Sequence, residues 1–194
     1  MKLFSIMWSS YIPILKEAAV RTGLFELKAY STKQLNLEAR WIEQVRRDIR
    51  SADLVLLYRT ADPFWEYVDD EIGSLGRRIP VVAVGADPSS WQISSVIPEI
   101  VGAVHRYILY NGVQNFEEML KYLASSIFSR DVSFKTPRET AWEGIYHPVY
   151  GGPFGSPAEY LDVYPYAGNP LVGLLFSRSN WISGNMETER LLVD

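Results

Sequence analysis

The last third of the chain holds the residues best placed to do chemistry. His147 lies between Tyr146 and Pro148, in a segment where proline, glycine and aromatic residues are mixed. An imidazole there can coordinate a metal or accept a proton. A single histidine with no adjacent ligand pair is more often structural, so the residue types alone leave both roles open.

A second candidate group lies further along the chain. Arg178, Ser179 and Asn180 come directly after an apolar run, and Gly184-Asn185 predicts the start of a helix. An arginine and a helix N-terminus together offer hydrogen bonds to an acidic group of a ligand. The alternative is a turn with one exposed arginine, and the residues alone favour neither interpretation.

Other polar residues indicate surface rather than a site. Arg59 follows a predicted strand and can hold a carboxylate, but a surface arginine is the simpler interpretation. His105 lies in a mostly apolar helix, which indicates a position at the edge of the core. Four carboxylates of one predicted helix lack the spacing of a calcium loop and indicate a solvated acidic face: Glu66, Asp69, Asp70 and Glu71.

The composition excludes several classes of function. The formal net charge is -4, which argues against nucleic acid as a partner. The chain has 0 Cys, so a thiolate metal site and a thiol nucleophile are excluded. No apolar run reaches membrane-spanning length, and we expect a cytoplasmic protein.

The sequence also lacks the motifs of a nucleotide site. There is no Walker-type glycine loop, and the first predicted strand ends in Met7-Trp8-Ser9-Ser10 rather than in a dinucleotide glycine fingerprint. We therefore expect this segment to bind neither ATP nor another cofactor.

Four apolar runs alternate with helical patterns in the first part of the chain. These predicted strands and helices form the scaffold that precedes the candidate residues. Nearly continuous apolar strands are typical of a sheet covered on both faces. Their alternation with helices predicts parallel strands joined by right-handed crossovers. The predicted fold class is α/β, a small parallel four-stranded sheet with flanking helices of the flavodoxin or Rossmann type. The predicted strands are Leu3–Trp8, Leu24–Tyr30, Asp53–Tyr58 and Ile79–Gly85.

A helical hairpin is predicted to follow the sheet. The apolar residues of Ile97–Tyr110 recur at the helical period, and Asn111-Gly112 ends that helix. Asn115 is predicted to cap a second helix, with Glu118 as its capping-box partner, and this helix ends near Phe128.

The rest of the chain has a different character. Repeated proline and glycine predict irregular structure with one short helix that begins at Ser156-Pro157. Leu171–Phe176 is predicted to be a new strand, and Asn185 to cap a helix that stops at Asp194. Because a strand and one helix do not form a domain alone, we expect a fragment of something longer. The predicted regions are an N-terminal α/β domain at 1–130 with the hairpin at 97–128, a connector at 131–170, and the start of a second, truncated α/β domain at 171–194.

Three segments of the second half of the chain form a combined pattern. They are Tyr107–Asn115 running into Met119–Leu123, then Gly144–Pro148 followed by Glu159–Leu161, and finally Val172–Phe176 followed by Arg178-Ser179 and Gly184-Asn185. Together they resemble the N-terminal region of the CobN-type large subunit of cobaltochelatase, a family shared with the H subunit of magnesium chelatase. Two residues depart from the family pattern: Val113 stands where members often have a glycine, and Asn180 where they often have a histidine.

The resemblance implies ATP-dependent insertion of cobalt into a corrinoid ring by a complex. Cobalt and the tetrapyrrole are then substrates, and separate AAA+ type partner subunits hydrolyse ATP. It implies a catalytic role for His147 and substrate-binding roles for Arg178, Ser179, Asn180 and Tyr146. It assigns no metal ligand, and the fragment alone is expected to be inactive.

Three alternatives stay open beside this interpretation. The first, within the same family, is a magnesium chelatase H-type subunit that binds a porphyrin. The second is a non-catalytic module that docks the AAA+ partner subunits or the rest of its own subunit. The third is a free-standing α/β domain that binds a small ligand.

Overall fold

The computed structural model of the chain divides into two units, 1–138 and 139–194. The first contains a parallel sheet, and the second contains an antiparallel hairpin with short helices. The structure describes residues 1–37, 40–76, 78–165, 167, 168, 170, 172–182, 184 and 186–193.

A parallel sheet forms the centre of the first unit. Its strands are β1 (Lys2–Met7), β2 (Glu26–Ser31), β3 (Leu54–Arg59) and β4 (Val81–Gly85). They are parallel in the order β2-β1-β3-β4, which confirms the predicted α/β fold with a four-stranded parallel sheet and flanking helices. The helices are α1 (Tyr11–Thr22), α2 (Thr32–Leu37), α3 (Arg40–Arg50), α4 (Asp69–Leu75), α5 (Pro98–Tyr110) and α6 (Val113–Phe128), with 3-10 helices at Pro63–Tyr67 and Pro88–Ile93.

Side chains alternate between two apolar layers on the faces of the sheet. On one face, Leu3 and Leu56 pack into a core with α1, α5 and α6. On the other face, Phe4 and Leu57 pack with α3, α4 and the first 3-10 helix. Ser5 is fully buried in β1, and its Oγ donates to the carbonyl of Leu56 at 2.8 Å. Because both faces are covered, the strands read as nearly continuous apolar runs.

The helical hairpin forms as predicted, but its second helix begins earlier than the sequence indicates. Asn111 and Gly112 have φ values of 60° and 85°, and they reverse the chain so that α6 begins at Val113. Asn115 therefore lies in the first turn of α6 rather than at its cap. The predicted capping box is wrong for this reason.

Asn115 and Glu118 instead bind the segment that leaves the hairpin. Asn115 Nδ2 donates to the carbonyl of Arg138 at 2.8 Å, and its Oδ1 accepts from the Arg138 amide at 2.9 Å. Glu118 accepts from the Lys135 amide at 2.6 Å and from Lys121 at 2.7 Å. Burial raises the pKa of the Glu118 carboxyl, but these donors outweigh burial and lower the pKa overall. The two side chains hold the end of the first unit against α6.

The second unit is built from short elements. Ser156 caps the first helix as predicted, because its Oγ accepts from the Glu159 amide at 3.2 Å. The strands β5 and β6 are antiparallel. The elements are β5 (Ile145–His147), β6 (Gly151–Phe154), α7 (Pro157–Val163), α8 (Arg178–Ile182) and α9 (Glu187–Val193).

The predicted strand Leu171–Phe176 is not present in the described part of the chain. Residues 172–177 belong to neither a helix nor a strand, and Leu171 lies outside the described residues. The side chains of Val172 and Leu175 are 97% and 98% exposed. An apolar run indicates a segment that is buried in a sheet, but within the described residues no strand pairs with 172–176.

The chain ends in two short helices, and the second of them lies where a helix was predicted. Arg178, Ser179 and Asn180 open α8 instead of forming a turn. The next helix, α9, begins at Glu187, while the predicted cap Asn185 lies outside the described residues. Every helix that the structure describes is too short or too polar to cross a membrane.

Replacing Asn115 with alanine is expected to destabilise the first unit by about 2–3 kcal/mol, because the buried Asn115 side chain loses its hydrogen bonds to the backbone of Asn111 and Arg138. Urea denaturation followed by circular dichroism measures this change. Gln114→Ala is the matched control, since Gln114 is exposed in the same helical turn, and it is expected to change stability by less than about 0.5 kcal/mol. Equal effects of the two substitutions would contradict the assigned role of Asn115.

Candidate functional site

Two cavities lie within the second unit and share part of their walls. The larger cavity encloses about 760 Å³ and the smaller about 290 Å³. Tyr146, Leu174 and Phe176 line both. Other aromatic and charged residues of the larger cavity are His147, Tyr160, Glu189 and Arg190, and those of the smaller are Trp142, Glu143, Arg178 and Trp181.

His147 lies at the end of β5 and its imidazole closes the turn into β6. Nδ1 accepts hydrogen bonds from the amides of Val149 at 3.1 Å and Tyr150 at 3.4 Å. A nitrogen that accepts two N–H groups carries no proton, so the neutral ring has its proton on Nε2. In this arrangement Nε2–H is a hydrogen-bond donor, and His147 is one of the residues that line the larger cavity.

An aromatic cluster surrounds His147. Its ring lies 6.0 Å from Tyr160 at 30°, and Tyr160 stacks on Tyr164 at 5.2 Å and 16°. Tyr150 contributes a further ring 4.8 Å from His147. Burial raises the pKa of Tyr160, and the neighbouring hydroxyls of Tyr164 and Tyr150 raise it further. The four rings give the larger cavity a stacked aromatic wall through His147 and Tyr160.

Arg178 ties the two ends of the second unit together. Its Nε donates to the carbonyl of Ala141 at 2.7 Å, and one terminal nitrogen donates to the carbonyl of Thr140 at 3.1 Å. The guanidinium also lies 4.4 Å from the centre of the Trp142 ring, a cation–π contact. Arg178 thus takes a third role that the sequence did not indicate, since it anchors backbone that precedes β5.

Three further residues were predicted to belong to the site, and they lie in two places. Tyr146 lines the cavities, and Ser179 and Asn180 lie in α8. Tyr146 lines both cavities, and its hydroxyl accepts from Arg190 at 3.3 Å. Asn180 Nδ2 donates to Glu189 at 2.7 Å and so joins α8 to α9, while the Ser179 hydroxyl pairs with Ser177 at 2.7 Å. The structure brings Tyr146, His147 and Arg178 to cavity walls, and their predicted substrate and catalytic roles stay predictions.

Glu189 and Arg190 line the larger cavity, and the sequence reasoning missed both. They lie in a short charged stretch at the end of the chain, which has the pattern of an ordinary solvated helix. No local signal distinguishes these two charges from surface residues. Among the described residues, no group of three His, Asp or Glu side chains lies close enough to hold a metal ion.

In the first unit, Arg59 and His105 contact neighbouring side chains of the same unit. Arg59 holds a carboxylate through both terminal nitrogens, but the carboxylate is that of Asp69, and the guanidinium also lies 4.2 Å from the Trp65 ring centre. His105 packs 5.1 Å from Trp91, and burial lowers its pKa. The geometry agrees with a structural role for these residues.

His147→Asn is expected to keep the turn after β5, because an asparagine oxygen can take the place of Nδ1 as acceptor. His147→Ala removes the acceptor, and the amides of Val149 and Tyr150 should then exchange with solvent about tenfold faster. Amide hydrogen exchange by NMR measures both variants. If the asparagine variant exchanged as fast as the alanine variant, the hydrogen bonds to Nδ1 would not be what holds the turn.

Arg178→Ala and Arg178→Lys are both expected to release Trp142, because an ammonium group can neither donate as a planar fork nor stack in the same way. With 5-fluorotryptophan in the protein, the 19F resonance of Trp142 should move toward the position of free fluorotryptophan in both variants. Arg130→Ala, at an exposed arginine of the first unit, should leave it unmoved. A wild-type resonance in the lysine variant contradicts the anchoring role.

The chain is similar to several known proteins, and one family model matches the part that contains both cavities. Residues 105–194 match the family model described as CobN/Magnesium Chelatase. An uncharacterized protein of Methanocaldococcus jannaschii is 30% identical over 198 residues, which cover 99% of this chain and 14% of that protein. The aerobic cobaltochelatase subunit CobN of Pseudomonas aeruginosa is 24% identical over 184 residues, which cover 91% of this chain and 14% of that subunit.

A solved structure has the same fold as the chain. The catalytic subunit of cobaltochelatase from Mycobacterium tuberculosis superposes with a TM-score of 0.64 over 98% of this chain and 15% of that one, at 17% identity. The chain therefore spans about one seventh of the length of these relatives. Residues 105–194, which contain the lining of both cavities, are similar to the CobN/magnesium chelatase family.

Proposed function

We propose that the chain is an N-terminal part of a chelatase large subunit that binds a tetrapyrrole for the insertion of cobalt into a corrinoid ring. The observation that carries the proposal is the larger cavity, whose lining residues all fall within the family match. In this proposal AAA+ type partner subunits hydrolyse ATP, and cobalt and the ring are substrates of the assembled complex.

The chemistry of the larger cavity suits a flat conjugated ring. Its volume of about 760 Å³ lies in the range of small-molecule sites, about 300–1,000 Å³. Tyr146, His147, Tyr160 and Phe176 supply aromatic surface on which an apolar ring face can pack. Arg190 adds a cationic donor that can pair with carboxylates at the ring edge. Aromatic walls and the Arg190 cation match a ligand that has apolar faces and acidic side chains, while Glu189 in the same wall accepts a hydrogen bond from Asn180.

His147 is our candidate for direct contact with the ring. Metal insertion requires that protons leave the ring nitrogens, and a free imidazole is a suitable base for this. Because Nδ1 is occupied by two amides, the geometry favours a different use in which Nε2–H donates to an oxygen of a ring side chain. His147 then orients the ring, and Arg178 acts through Trp142 as a positioning residue for the adjoining wall.

The same geometry suits a porphyrin, so a magnesium chelatase H-type subunit is the alternative within the family. Titrating the 194-residue chain with a metal-free corrinoid and, separately, with a metal-free porphyrin distinguishes the two. We expect a saturable shift of the ring absorbance with both compounds and tighter binding of the corrinoid. Tighter binding of the porphyrin assigns the alternative, and the absence of any shift with either compound contradicts ring binding by this chain.

Tyr160→Ala is expected to weaken ring binding about tenfold, since it removes one stacking surface worth about 1–1.5 kcal/mol. Tyr160→Phe keeps the ring of the side chain and should bind within about twofold of the wild type. Tyr67→Ala is the control, because Tyr67 is exposed in the first unit. The absorbance titration measures all three. Equal binding by Tyr160→Ala and the wild type would place the ring elsewhere.

A further inference from the structure

Residues 172–176 have the sequence of an inner strand without the surroundings of one. The segment reads Val-Gly-Leu-Leu-Phe. A comparable apolar run in the first unit is strand β3, which begins Leu-Val-Leu-Leu. The four leading residues of β3 are fully buried, whereas Val172 and Leu175 are 97% and 98% exposed. Nearly continuous apolar runs are typical of strands with both faces covered.

The segment's backbone is also unpaired. Among the described residues, no backbone hydrogen bond joins 172–176 to another part of the chain. A side chain built at Gly173 would meet no atom within 4 Å, so the glycine is not required by any contact within the chain. A glycine inside a strand pattern often marks the close approach of another backbone. The residue types, the exposure and the glycine all indicate a missing neighbour.

We propose that residues 172–176 form an inner strand of a sheet whose other strands come from the remaining part of a chelatase large subunit. The relatives provide the polypeptide for this, since the chain aligns with only 14% of the M. jannaschii protein and 15% of the M. tuberculosis subunit. The family match includes the segment and continues past it to residue 194. The inference does not depend on ring binding.

The alternation of side chains specifies what the partner must offer. In an extended strand, Val172, Leu174 and Phe176 point to one face and Leu175 to the other. Val172, Leu174 and Phe176 line the larger cavity, so their face stays toward that cavity. The partner therefore supplies strands on the hydrogen-bonding edges and apolar cover on the Leu175 face. A second copy of this chain would add one strand and leave the other edge unpaired, so the remainder of the subunit fits better.

The test inserts residues 1–194 into the M. jannaschii relative in place of the segment aligned with this chain. Amide hydrogen exchange, read by mass spectrometry, compares peptides over 172–176 in the isolated chain and in this chimera. We expect exchange to be at least about a hundredfold slower in the chimera. Protected amides in β1 and β3 show that the chimera is folded. If it does not fold, the intact M. jannaschii protein is measured at its aligned residues, with the same expectation.

The Leu175→Lys variant tests whether slow amide exchange of 172–176 requires apolar packing against Leu175 or only reduced access of solvent. It should leave the melting temperature of the isolated chain unchanged, because Leu175 is almost fully exposed there, and it should abolish the slow exchange of 172–176 in the chimera. Val20→Lys, at an exposed apolar residue of α1, should change neither the melting temperature of the isolated chain nor the exchange of 172–176 in the chimera. Fast exchange of 172–176 in a folded chimera overturns the proposal, and so does a dimer of the isolated chain in which 172–176 is protected.

Discussion

The first unit depends on one constraint, the burial of both faces of its parallel sheet. Strands β1, β3 and β4 have almost no exposed side-chain surface. A polar residue there must find a partner inside the sheet, and Ser5 does so through the carbonyl of Leu56. Helices must then cover each face, with α1, α5 and α6 on one side and α3 and α4 on the other. The carboxyl edge of such a sheet commonly binds ligands, but here Arg59 is neutralised internally by Asp69.

The second unit is organised on a different principle. Ile182 and Met186 are the buried apolar residues among those described there. Polar links between distant residues hold the unit together, and two of them join Arg190 to Tyr146 and Arg178 to the backbone before β5. Aromatic rings therefore remain partly exposed around two cavities instead of being buried in a hydrophobic core. A unit of this kind gains stability when a flat ligand or a partner covers those rings, which connects its weak packing to its proposed role.

The sequence was informative wherever a local pattern controlled the structure. Four apolar runs predicted the sheet, and Ser156 predicted the start of α7. Asn111-Gly112 correctly marked the end of α5, but the positive φ angles of that pair moved the start of the next helix away from Asn115. Local sequence patterns did not predict contacts between residues that are distant in the sequence. The contacts of Arg178 and of Arg190 join residues far apart in the sequence, and neither residue type encodes its partner.

The predicted strand at 172–176 illustrates the same limit. Its apolar residues indicate burial between two layers, but a sequence pattern does not specify whether the layers are present. The exposure of Val172 and Leu175 is the observation from which we infer a partner surface. In physical terms, periodicity reports the environment that a segment requires, and only the structure reports the environment that it has.

The central claim is that the larger cavity of the second unit holds a tetrapyrrole ring. Methyl chemical shifts of the 194-residue chain, recorded while a metal-free corrinoid is added, test it most directly. The account predicts saturable shifts at Leu161 and Leu174, which line that cavity, with no change at Val20 in the first unit. Shifts confined to methyl groups of the first unit, or none at saturating corrinoid, would contradict it.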